Sequence, residues 1–487
     1  MDSALYLAAA RSYATGEQFA VGSSARPNVP PVTPYYLAVA YKIAEIAAPN
    51  SGLPGKFLYF NLFGGLAGLA GLLAAFLLAV ELGGGRRALV VLLLLSTSSS
   101  YYSLSTQPMT EVPYCAISWG ALLFLVRLER RGGWGNALAA GILVILAPMT
   151  RAIGAALALS ALALYARRAL GQGVTLKSNS TSLLAALPGA LILPGFFLYI
   201  LRTADAGTFS YVHDLTYRSL LQAPAIVTAN ASELLAKLPA VVMGRGSLLA
   251  AGVLIAAILV VGASVWRQGR GRRLLSLYLL LYVAFLIISV PEVNARYLVP
   301  LLPFIYLLAM DGLSVTGEWA SGALSRARRW GGNKRARIQA AWGKTAVVAA
   351  CLVVAANLAG IGSWLSPQFS KDFYKAYEDG YYADYMPLAH ALAAGSPTGP
   401  VMARQARLLA ALTGARAYSP PYLQFSKERP SAEETSRFVR ERGIMSVVVD
   451  PRNGDSARVL RELVERGSLK WREAASYGTL TVYVREG

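Results

Sequence analysis

Apolar residues fill the middle of this chain in long runs that polar residues interrupt only briefly. Ten stretches approach the length of about 20 apolar residues that a helix needs to cross a bilayer core. They are residues 57–80, 88–105, 112–128, 136–150, 153–166, 182–201, 248–266, 274–290, 297–313 and 345–363. Hydrocarbon offers no partner to an unpaired backbone amide, so each stretch is predicted to be helical. The pattern therefore predicts a polytopic α-helical membrane bundle over residues 56–364.

Shorter patterns flank this bundle on both sides. Residues 1–55 contain two amphipathic helical patterns, at about 4–15 and 34–48, joined by the proline-rich stretch SSARPNVPPVTP. Residues 367–487 alternate helix-length and strand-length patterns, which is typical of a small α/β domain with a mainly parallel sheet. In this last zone Ser431 and Glu434 have the spacing of a capping box. The chain is thus predicted to have three zones, 1–55, 56–364 and 367–487.

The distribution of charge gives the predicted bundle an orientation. The chain has 46 Lys and Arg against 26 Asp and Glu, a net charge of +20, although 55% of its 487 residues are hydrophobic. Basic residues concentrate in alternate loops, whereas the loops between them, including the long one at about 204–246, are charge-poor or mixed. Because basic loops stay in the cytoplasm, residues 1–55 and 367–487 are predicted to be extracytoplasmic, on a multi-pass protein of the plasma (inner) membrane. This pattern favours contact with anionic membrane lipids and argues against nucleic acid.

The cysteines and the start of the chain add two expectations. Cys115 and Cys351 both fall in predicted spans, and no spacing typical of a disulfide framework or a zinc site occurs. No cleavable signal pattern opens the chain, yet residues 1–55 are predicted outside. We therefore expect a further membrane span upstream of Met1.

Polar residues also occur inside or beside the predicted spans. Every residue from Ser96 to Thr106 except Leu104 carries a hydroxyl group, so this segment is predicted to line a polar cavity or to pack on other helices. The segment FSYVHDLTYRS, with His213 and Asp214, has no neighbouring metal ligands and is interpreted as amphipathic loop packing. Asp311, near an inner helix end, is interpreted as a solvated or paired residue.

Four ionisable residues fall at the predicted outer ends of the spans: Asp2, Glu111, Arg151 and Arg296. Each has an ordinary explanation when it is taken singly. Asp2 is then solvated, Glu111 is a first-turn residue of a helix capped by Thr110, and the arginines snorkel to the interface. On one membrane face, however, the set favours chemistry. A carboxylate can accept a proton from a hydroxyl group, and guanidinium groups can bind a leaving phosphate that a lipid carries.

The motifs around these residues resemble those of the GT-C polytopic glycosyltransferases, particularly the family 39-like group that contains protein O-mannosyltransferases and the aminoarabinose transferase of lipid A. The resemblance covers most of residues 1–312. An Asp followed by a Tyr, a Pro-Pro pair and paired tyrosines are matched by Asp2, Tyr6, Pro30-Pro31 and Tyr35-Tyr36. Later family motifs are matched by MTEVP, MTRAIG and RYLVPLLPF, which contain Glu111, Arg151, Gly154, Arg296 and Tyr297. Val29 stands where the family often has Lys or His.

This resemblance implies a function and a set of roles. The reaction would be transfer of a hexose or pentose from a polyprenyl-phosphate-linked donor to an acceptor hydroxyl outside the cytoplasm, with inversion. Asp2 would be the general base, with Glu111 assisting, and Arg151 and Arg296 would contact the lipid phosphate. Substrate contacts would include Tyr6, Tyr35 and Tyr297. The acceptor would be a glycan, a lipid or a protein; no resident cofactor is implied, and a divalent cation is left open.

Two other functions fit the composition. A transporter or flippase would have charged or Gly/Pro-broken segments at the midplane and inverted repeats, and no internal repeat occurs in this sequence. A membrane anchor that presents the C-terminal domain would leave the hydroxyl-rich segment and the charges at one face unexplained. The sequence therefore favours the enzyme.

Overall fold

The structure is a computed structural model. It describes ten ranges of the chain and a few isolated residues between 181 and 358. The ranges are 2–16, 29–49, 53–172, 223–243, 272–289, 294–311, 384–395, 399–420, 431–452 and 454–486. The chain divides into two compact units. One comprises residues 1–63, 197–217 and 365–487, and the other comprises residues 64–196 and 218–364.

Helices make up the described part of the second unit, together with the end of the helix that leads into it. In chain order they are α3 (Leu53–Gly83), α4 (Gly85–Ser96), α5 (Ser99–Ser105), α6 (Glu111–Arg131), α7 (Trp134–Thr150), α8 (Ala155–Gln172), α9 (Ala223–Met243), α10 (Arg272–Ser289) and α11 (residues 302–311). Two 3₁₀ segments, Ala152–Gly154 and Ala295–Leu301, precede α8 and α11. The neighbours α6 and α7 pack together, as do α8 and α10, and α9 and α10.

Among the described residues, two helices are long and apolar enough to cross a membrane, Lys56–Gly83 and Glu111–Arg131, and the bent pair α4–α5 makes a third if it counts as one span. Along α3, leucines remain exposed at regular helical spacing: Leu58, Leu62, Leu66, Leu69 and Leu73. Such a stripe has no favourable place in water and suits contact with lipid. The predicted spans at 182–201, 248–266 and 345–363 lie outside the described ranges.

The predicted span at 88–105 is made of two helices, α4 and α5, with a bend of 63° between them. The cause lies in the hydroxyl groups. Thr97 donates its hydroxyl to the carbonyl of Leu93 at 2.8 Å, which ends α4, and the Ser98 hydroxyl accepts the Tyr101 amide at 3.3 Å, which starts α5. Short polar side chains thus satisfy the backbone groups that a continuous helix would have paired.

The same segment packs on other helices, one of the two roles predicted for it. Tyr101 donates its hydroxyl to the carbonyl of Gly68 on α3 at 2.7 Å, and its ring stacks on Trp119 of α6 at 5.7 Å. A side-chain carbon at Gly64 or Gly68 would collide with Ser105, so α3 needs glycine to let α5 approach this closely.

The long segment at 204–246 is not only a loop, since residues Ala223–Met243 form α9. Asn230 on α9 donates its side-chain amide to the carbonyl of Ile287 on α10 at 2.9 Å. The sequence hides this helix because Ser232, Glu233 and Lys237 interrupt its apolar pattern. Packing against α10 and an i,i+4 ion pair between Glu233 and Lys237 (3.3 Å) hold it instead.

The first unit combines the two N-terminal helices with the C-terminal domain. The predicted helices are present as α1 (Asp2–Thr15) and α2 (Val32–Ala47). The C-terminal domain contains α12 (Tyr385–Ala393), β1 (Val401–Ala403), α13 (Ala406–Thr413), β2 (Ala417–Tyr418), α14 (Ala432–Glu441), β3 (Ser446–Val449), α15 (Gly454–Arg466), β4 (Trp471–Tyr477) and β5 (Leu480–Arg485). Helix α1 packs on both α2 and α13, and Arg11 donates to the carbonyl of Leu412 at 3.4 Å.

The sheet has the order β2-β1-β3-β5-β4, and its core follows from strand alternation. Val401, Ala403 and Val448 join a core with α1, α2 and α13, whereas Met402 and Val447 point to a second core on the opposite face. The sheet is mixed, not mainly parallel as predicted, because β5 pairs antiparallel with both β3 and β4. Strand β4 was missed since its side chains are mostly exposed and lack apolar alternation.

The turn between β4 and β5 carries a glycine that packing requires. Gly478 has a φ of +56°, and a side-chain carbon there would collide with the carboxylate of Asp384. That carboxylate accepts the Thr479 amide at 3.1 Å and the Thr479 hydroxyl at 2.7 Å, and these bonds hold the pKa of Asp384 below its ordinary value. The turn therefore ties β5 to the start of α12.

We expect Gly478→Ala to destabilise the C-terminal domain more than Gly443→Ala does. Both glycines have positive φ, but nothing lies within 4 Å of a side-chain carbon at Gly443. The backbone cost of about 1–2 kcal/mol is therefore common to both variants. Gly478→Ala should lose a further amount of about 1–3 kcal/mol because Asp384 must give up its hydrogen bonds. Pulse proteolysis of the full-length protein across a urea series measures both, and equal losses would refute the packing argument.

Candidate functional site

Three predicted site residues meet in the second unit. Glu111 is the first residue of α6, and Arg151 directly follows α7, which packs on α6 in a helical hairpin. The start of α6 and the end of α7 therefore lie at the same end of the pair. Arg296 lies in the 3₁₀ segment Ala295–Leu301, which also packs on α6. Three separate stretches of sequence thus bring one carboxylate and two guanidinium groups together.

Glu111 is the centre of this cluster. Its side chain is only 2% exposed, and its Oε1 lies 2.9 Å from Arg151 Nη1 and 3.4 Å from Arg296 Nε. Its Oε2 accepts the Thr110 hydroxyl at 3.4 Å, and Thr110 makes no side-chain cap to α6. Glu111 is thus a first-turn residue, as its ordinary explanation has it, but Thr110 does not cap the helix through its side chain and the carboxylate is buried against two cations.

A sharp turn places Arg151. The Arg151 amide donates to the carbonyl of Ala147 at 3.0 Å, which closes α7, and Arg151 itself is extended, with φ −152° and ψ 140°. The chain then folds back so tightly that a side-chain carbon at Gly154 would collide with the backbone of Ala147 and Pro148. The Arg151 side chain is 10% exposed, so it does not snorkel to an interface. Gly154 in the motif MTRAIG thus has a steric role.

Side chains from two other helices fix the segment that carries Arg296. Tyr282 on α10 donates its hydroxyl to the carbonyl of Tyr297 at 2.8 Å, and Trp119 on α6 donates its indole N–H to the carbonyl of Pro300 at 2.9 Å. Asn294 accepts the Arg296 amide at 3.3 Å and starts the 3₁₀ turn. Tyr282 and Trp119 are fully buried. Both bonds satisfy carbonyls that a 3₁₀ segment would otherwise leave open.

The ring of Tyr297 lies against both guanidinium groups. Its centroid is 4.9 Å from Arg151 Cζ and 5.1 Å from Arg296 Cζ, distances typical of cation–π contacts. Arg296 also donates to the Tyr297 hydroxyl at 3.3 Å. One carboxylate and two guanidinium groups give this cluster a formal charge of +1. Because the groups are largely buried, the excess charge favours an anion beside them.

A layer of tyrosines next to the cluster was not predicted. Tyr114, one turn along α6 from Glu111, has its hydroxyl 3.2 Å from that of Tyr278, and its ring stacks on Tyr282 at 6.5 Å. All three tyrosines are fully buried. Buried tyrosine hydroxyl groups need hydrogen-bond partners. Tyrosines in otherwise apolar spans were therefore the sequence feature from which this layer could have been predicted.

The remaining predicted residues belong to the other unit. Asp2 begins α1, Tyr6 packs half-buried against the core of that unit, and Tyr35 is 56% exposed with its ring stacked 4.3 Å from that of Tyr13. The predicted meeting of Asp2 with Glu111 stays a prediction. No group of three or more potential metal ligands occurs within the part of the chain that the structure describes. His213 and Asp214 lie outside that part, and the predicted pairing of Asp311 is present, with Arg87.

Comparison with known proteins follows the fold. No protein-family model and no curated protein sequence matches the chain. Among solved structures, ArnT from Cupriavidus metallidurans bound to undecaprenyl phosphate is 16% identical over 99% of this chain and 93% of that chain, with a TM-score of 0.56. The apo oligosaccharyltransferase of Archaeoglobus fulgidus is 12% identical over 96% of this chain and 68% of that chain, with a TM-score of 0.56. The AglB oligosaccharyltransferase of that organism was solved in complex with an inhibitory peptide and a dolichol-phosphate. It is 12% identical over 95% of this chain and 67% of that chain, with a TM-score of 0.57.

These neighbours are members of the GT-C superfamily. The predicted resemblance to GT-C proteins is therefore confirmed at the level of the fold, a helical membrane bundle with a small C-terminal sheet. The likeness and the apolar helices together make the chain a multi-pass membrane protein. Because identity is so low, the likeness establishes the architecture, and the roles of individual residues have to be argued from the site.

Proposed function

We propose that the protein is a membrane glycosyltransferase that moves a sugar from a polyprenyl-phosphate-linked donor to an acceptor hydroxyl on the extracytoplasmic side, with inversion. The single observation that carries the proposal is the buried Glu111 carboxylate with Arg151 and Arg296 on the same oxygen. Two of the structures with the same fold were solved with a lipid phosphate, undecaprenyl phosphate in ArnT and a dolichol-phosphate in AglB. The acceptor is a glycan, a lipid or a protein, and the sugar is a hexose or a pentose.

The cluster supplies what such a leaving group requires. When the bond between the anomeric carbon and the phosphate oxygen breaks, negative charge grows on the lipid phosphate. Arg151 and Arg296 neutralise this charge through charge-assisted hydrogen bonds, in surroundings with little water to screen them. Glu111 holds the two guanidinium groups at one place and keeps their mutual repulsion small. The positive surroundings of Glu111 disfavour a divalent cation bound to its carboxylate.

The acceptor side of the reaction is assigned to the first unit. Asp2 acts as the general base: it takes the proton of the acceptor hydroxyl while the acceptor oxygen bonds to the anomeric carbon. The exposed ring of Tyr35 offers a stacking surface for substrate, Tyr6 supports the helix that carries Asp2, and Tyr297 orients the two arginines. The C-terminal domain shares a core with α1, and we place both outside the cytoplasm.

A transporter or flippase is the alternative, and the broken helix pair α4–α5 is the feature that suits it. At the break between α4 and α5, however, Thr97, Ser98 and Tyr101 make hydrogen bonds to other protein groups. The break therefore gives no reason to propose a substrate there. The buried ionisable cluster lies at helix ends, where a reacting headgroup would be.

The test is release of undecaprenyl phosphate from undecaprenyl-phosphate-linked sugars by the purified full-length protein in vesicles. We expect release by the wild type, a loss of about 10²–10⁴ in Asp2→Asn, and partial recovery in Asp2→Glu. Glu441→Gln, a change of the same charge at an exposed position, should leave the rate unchanged. Movement of the intact lipid-linked sugar across the bilayer, with no cleavage of any donor, would establish the transporter instead.

A further inference from the structure

The second unit contains a pocket far from Glu111. Helix α6 runs for 21 residues from Glu111 to Arg131, about 30 Å, and Arg131 contacts Glu81 in the last turns of α3 at 2.9 Å. The pocket begins at the next residues, Leu82 and Gly83. It is therefore at the opposite end of the bundle from the candidate active site, and nothing in the proposed reaction uses it.

The walls of this pocket are amphipathic. It is a partly open pocket between the ends of α3 and α11 and the starts of α4 and α10. Most of its lining is apolar: Leu82, Leu275, Leu279, Phe304, Leu307 and Leu308. One ion pair, between Arg87 and Asp311, stands in this lining. An apolar slot with a charged wall suits a ligand that has a hydrocarbon part and a charged part.

The charges around the pocket are unequal. Arg86 adjoins the lining residue Arg87, and Arg273 precedes the lining residue Ser276 by one helical turn; both arginines are exposed. Asp311 is the acidic residue among the lining residues, and Glu81 close by is engaged by Arg127 at 2.9 Å and by Arg131. Two exposed arginines thus lie within three residues of the lining, and the lining itself contains Arg87 paired with Asp311. An anionic headgroup complements this balance, whereas a zwitterionic one does not.

We propose that this pocket binds an anionic phospholipid, with one acyl chain along the wall of Leu279 and Phe304 and the phosphate beside Arg86, Arg87 and Arg273. A soluble phosphate would gain nothing from the apolar lining, and a neutral lipid would gain nothing from the arginines. The exposed leucines of α3 suit contact with lipid, and a lipid in that position can reach the pocket laterally. The predicted orientation places the pocket at the cytoplasmic leaflet.

Delipidated full-length protein in detergent would be titrated with phosphatidylglycerol and with phosphatidylcholine of the same acyl chains, and retained lipid counted by native mass spectrometry. We expect preferential retention of one phosphatidylglycerol, weakened about tenfold or more in Arg86→Gln/Arg273→Gln. The control Arg458→Gln/Arg461→Gln removes the same charge from exposed positions on α15 and should retain the lipid. Equal retention of both lipids, or equal losses in the two double variants, would overturn the proposal.

A second pair of variants tests the acyl-chain site. Leu279→Trp fills the pocket and should displace the lipid, while Leu280→Trp changes the next residue, which is 63% exposed and does not line the pocket. If Leu279→Trp does not fold, the arginine variants decide the question alone. Unchanged retention in folded Leu279→Trp would contradict the assignment. So would stabilisation by inorganic phosphate equal to that by the lipid, or stronger retention of undecaprenyl phosphate than of phosphatidylglycerol.

Discussion

Glu111→Gln is expected to lower sugar transfer by about 10²–10³ while the protein remains folded. The amide has the shape of the carboxylate but no charge, so the guanidinium groups of Arg151 and Arg296, 2.9 and 3.4 Å from the carboxylate oxygen, lose the negative charge that holds them together. Two like charges in a largely buried place then separate, and the phosphate they are proposed to bind no longer meets both. Breaking such a pair also destabilises the fold, by up to about 3–5 kcal/mol if both arginines stayed buried.

The control for this prediction lies on the same helix. Glu129→Gln is an identical change at a residue that is 9% exposed, near the end of α6 remote from Glu111. We expect Glu129→Gln to transfer sugar at the wild-type rate, whatever it does to stability. The measurement is the rate of undecaprenyl phosphate release, set beside the melting temperature of each variant. Wild-type turnover in Glu111→Gln, or an equal loss in Glu129→Gln, would remove Glu111 from the site.

Local pattern was enough to predict the elements whose stability is local. The apolar runs located α3 and α6, and Ser431 and Glu434 form the predicted capping box, with bonds of 2.7 and 3.2 Å. Where packing or pairing with another element decides, the pattern failed. Helix α9 depends on its packing against α10, and β4, with mostly exposed side chains, exists because β5 pairs with it. Neither partner is visible in the sequence of the element itself.

The candidate site divides in the same way. The sequence predicted that Glu111, Arg151 and Arg296 meet, because all three fall at the predicted outer ends of spans. The ion pairs of Glu111 with both arginines are present. Tyr282 and Trp119, which hold the Arg296 segment, were not predicted. Each is one of several aromatic residues in its helix, and the sequence does not identify the backbone carbonyl that accepts its hydrogen bond. The sequence placed Gly154 only as part of a motif. The structure gives the reason for the glycine: the chain turns too tightly there for a side-chain carbon.

Gly154→Ala is expected to reduce transfer by about a hundredfold without touching any ionisable group. A side-chain carbon at this position would collide with the backbone of Ala147 and Pro148, which cannot swing aside as a side chain can. The turn must therefore open, and Arg151, three residues earlier and bonded through its carbonyl to the Gly154 amide at 2.8 Å, moves away from Glu111. A misplacement of about 1 Å at a positioned group costs about 10² in rate.

Helix propensity alone predicts that Gly154→Ala is neutral or stabilising, so this variant separates the effect of propensity from that of the tight turn. Alanine is the better helix former, and Gly135→Ala, in the exposed first turn of α7 with nothing within 4 Å of the added carbon, should be neutral or stabilising by up to about 1 kcal/mol. Transfer rates and melting temperatures of the two variants would be compared side by side. Because Arg151 keeps its charge in Gly154→Ala, a loss of rate confined to that variant means that the position of the guanidinium, and not its mere presence near the phosphate, sets the rate. Rates within threefold of each other would show that the tight turn has no part in the chemistry.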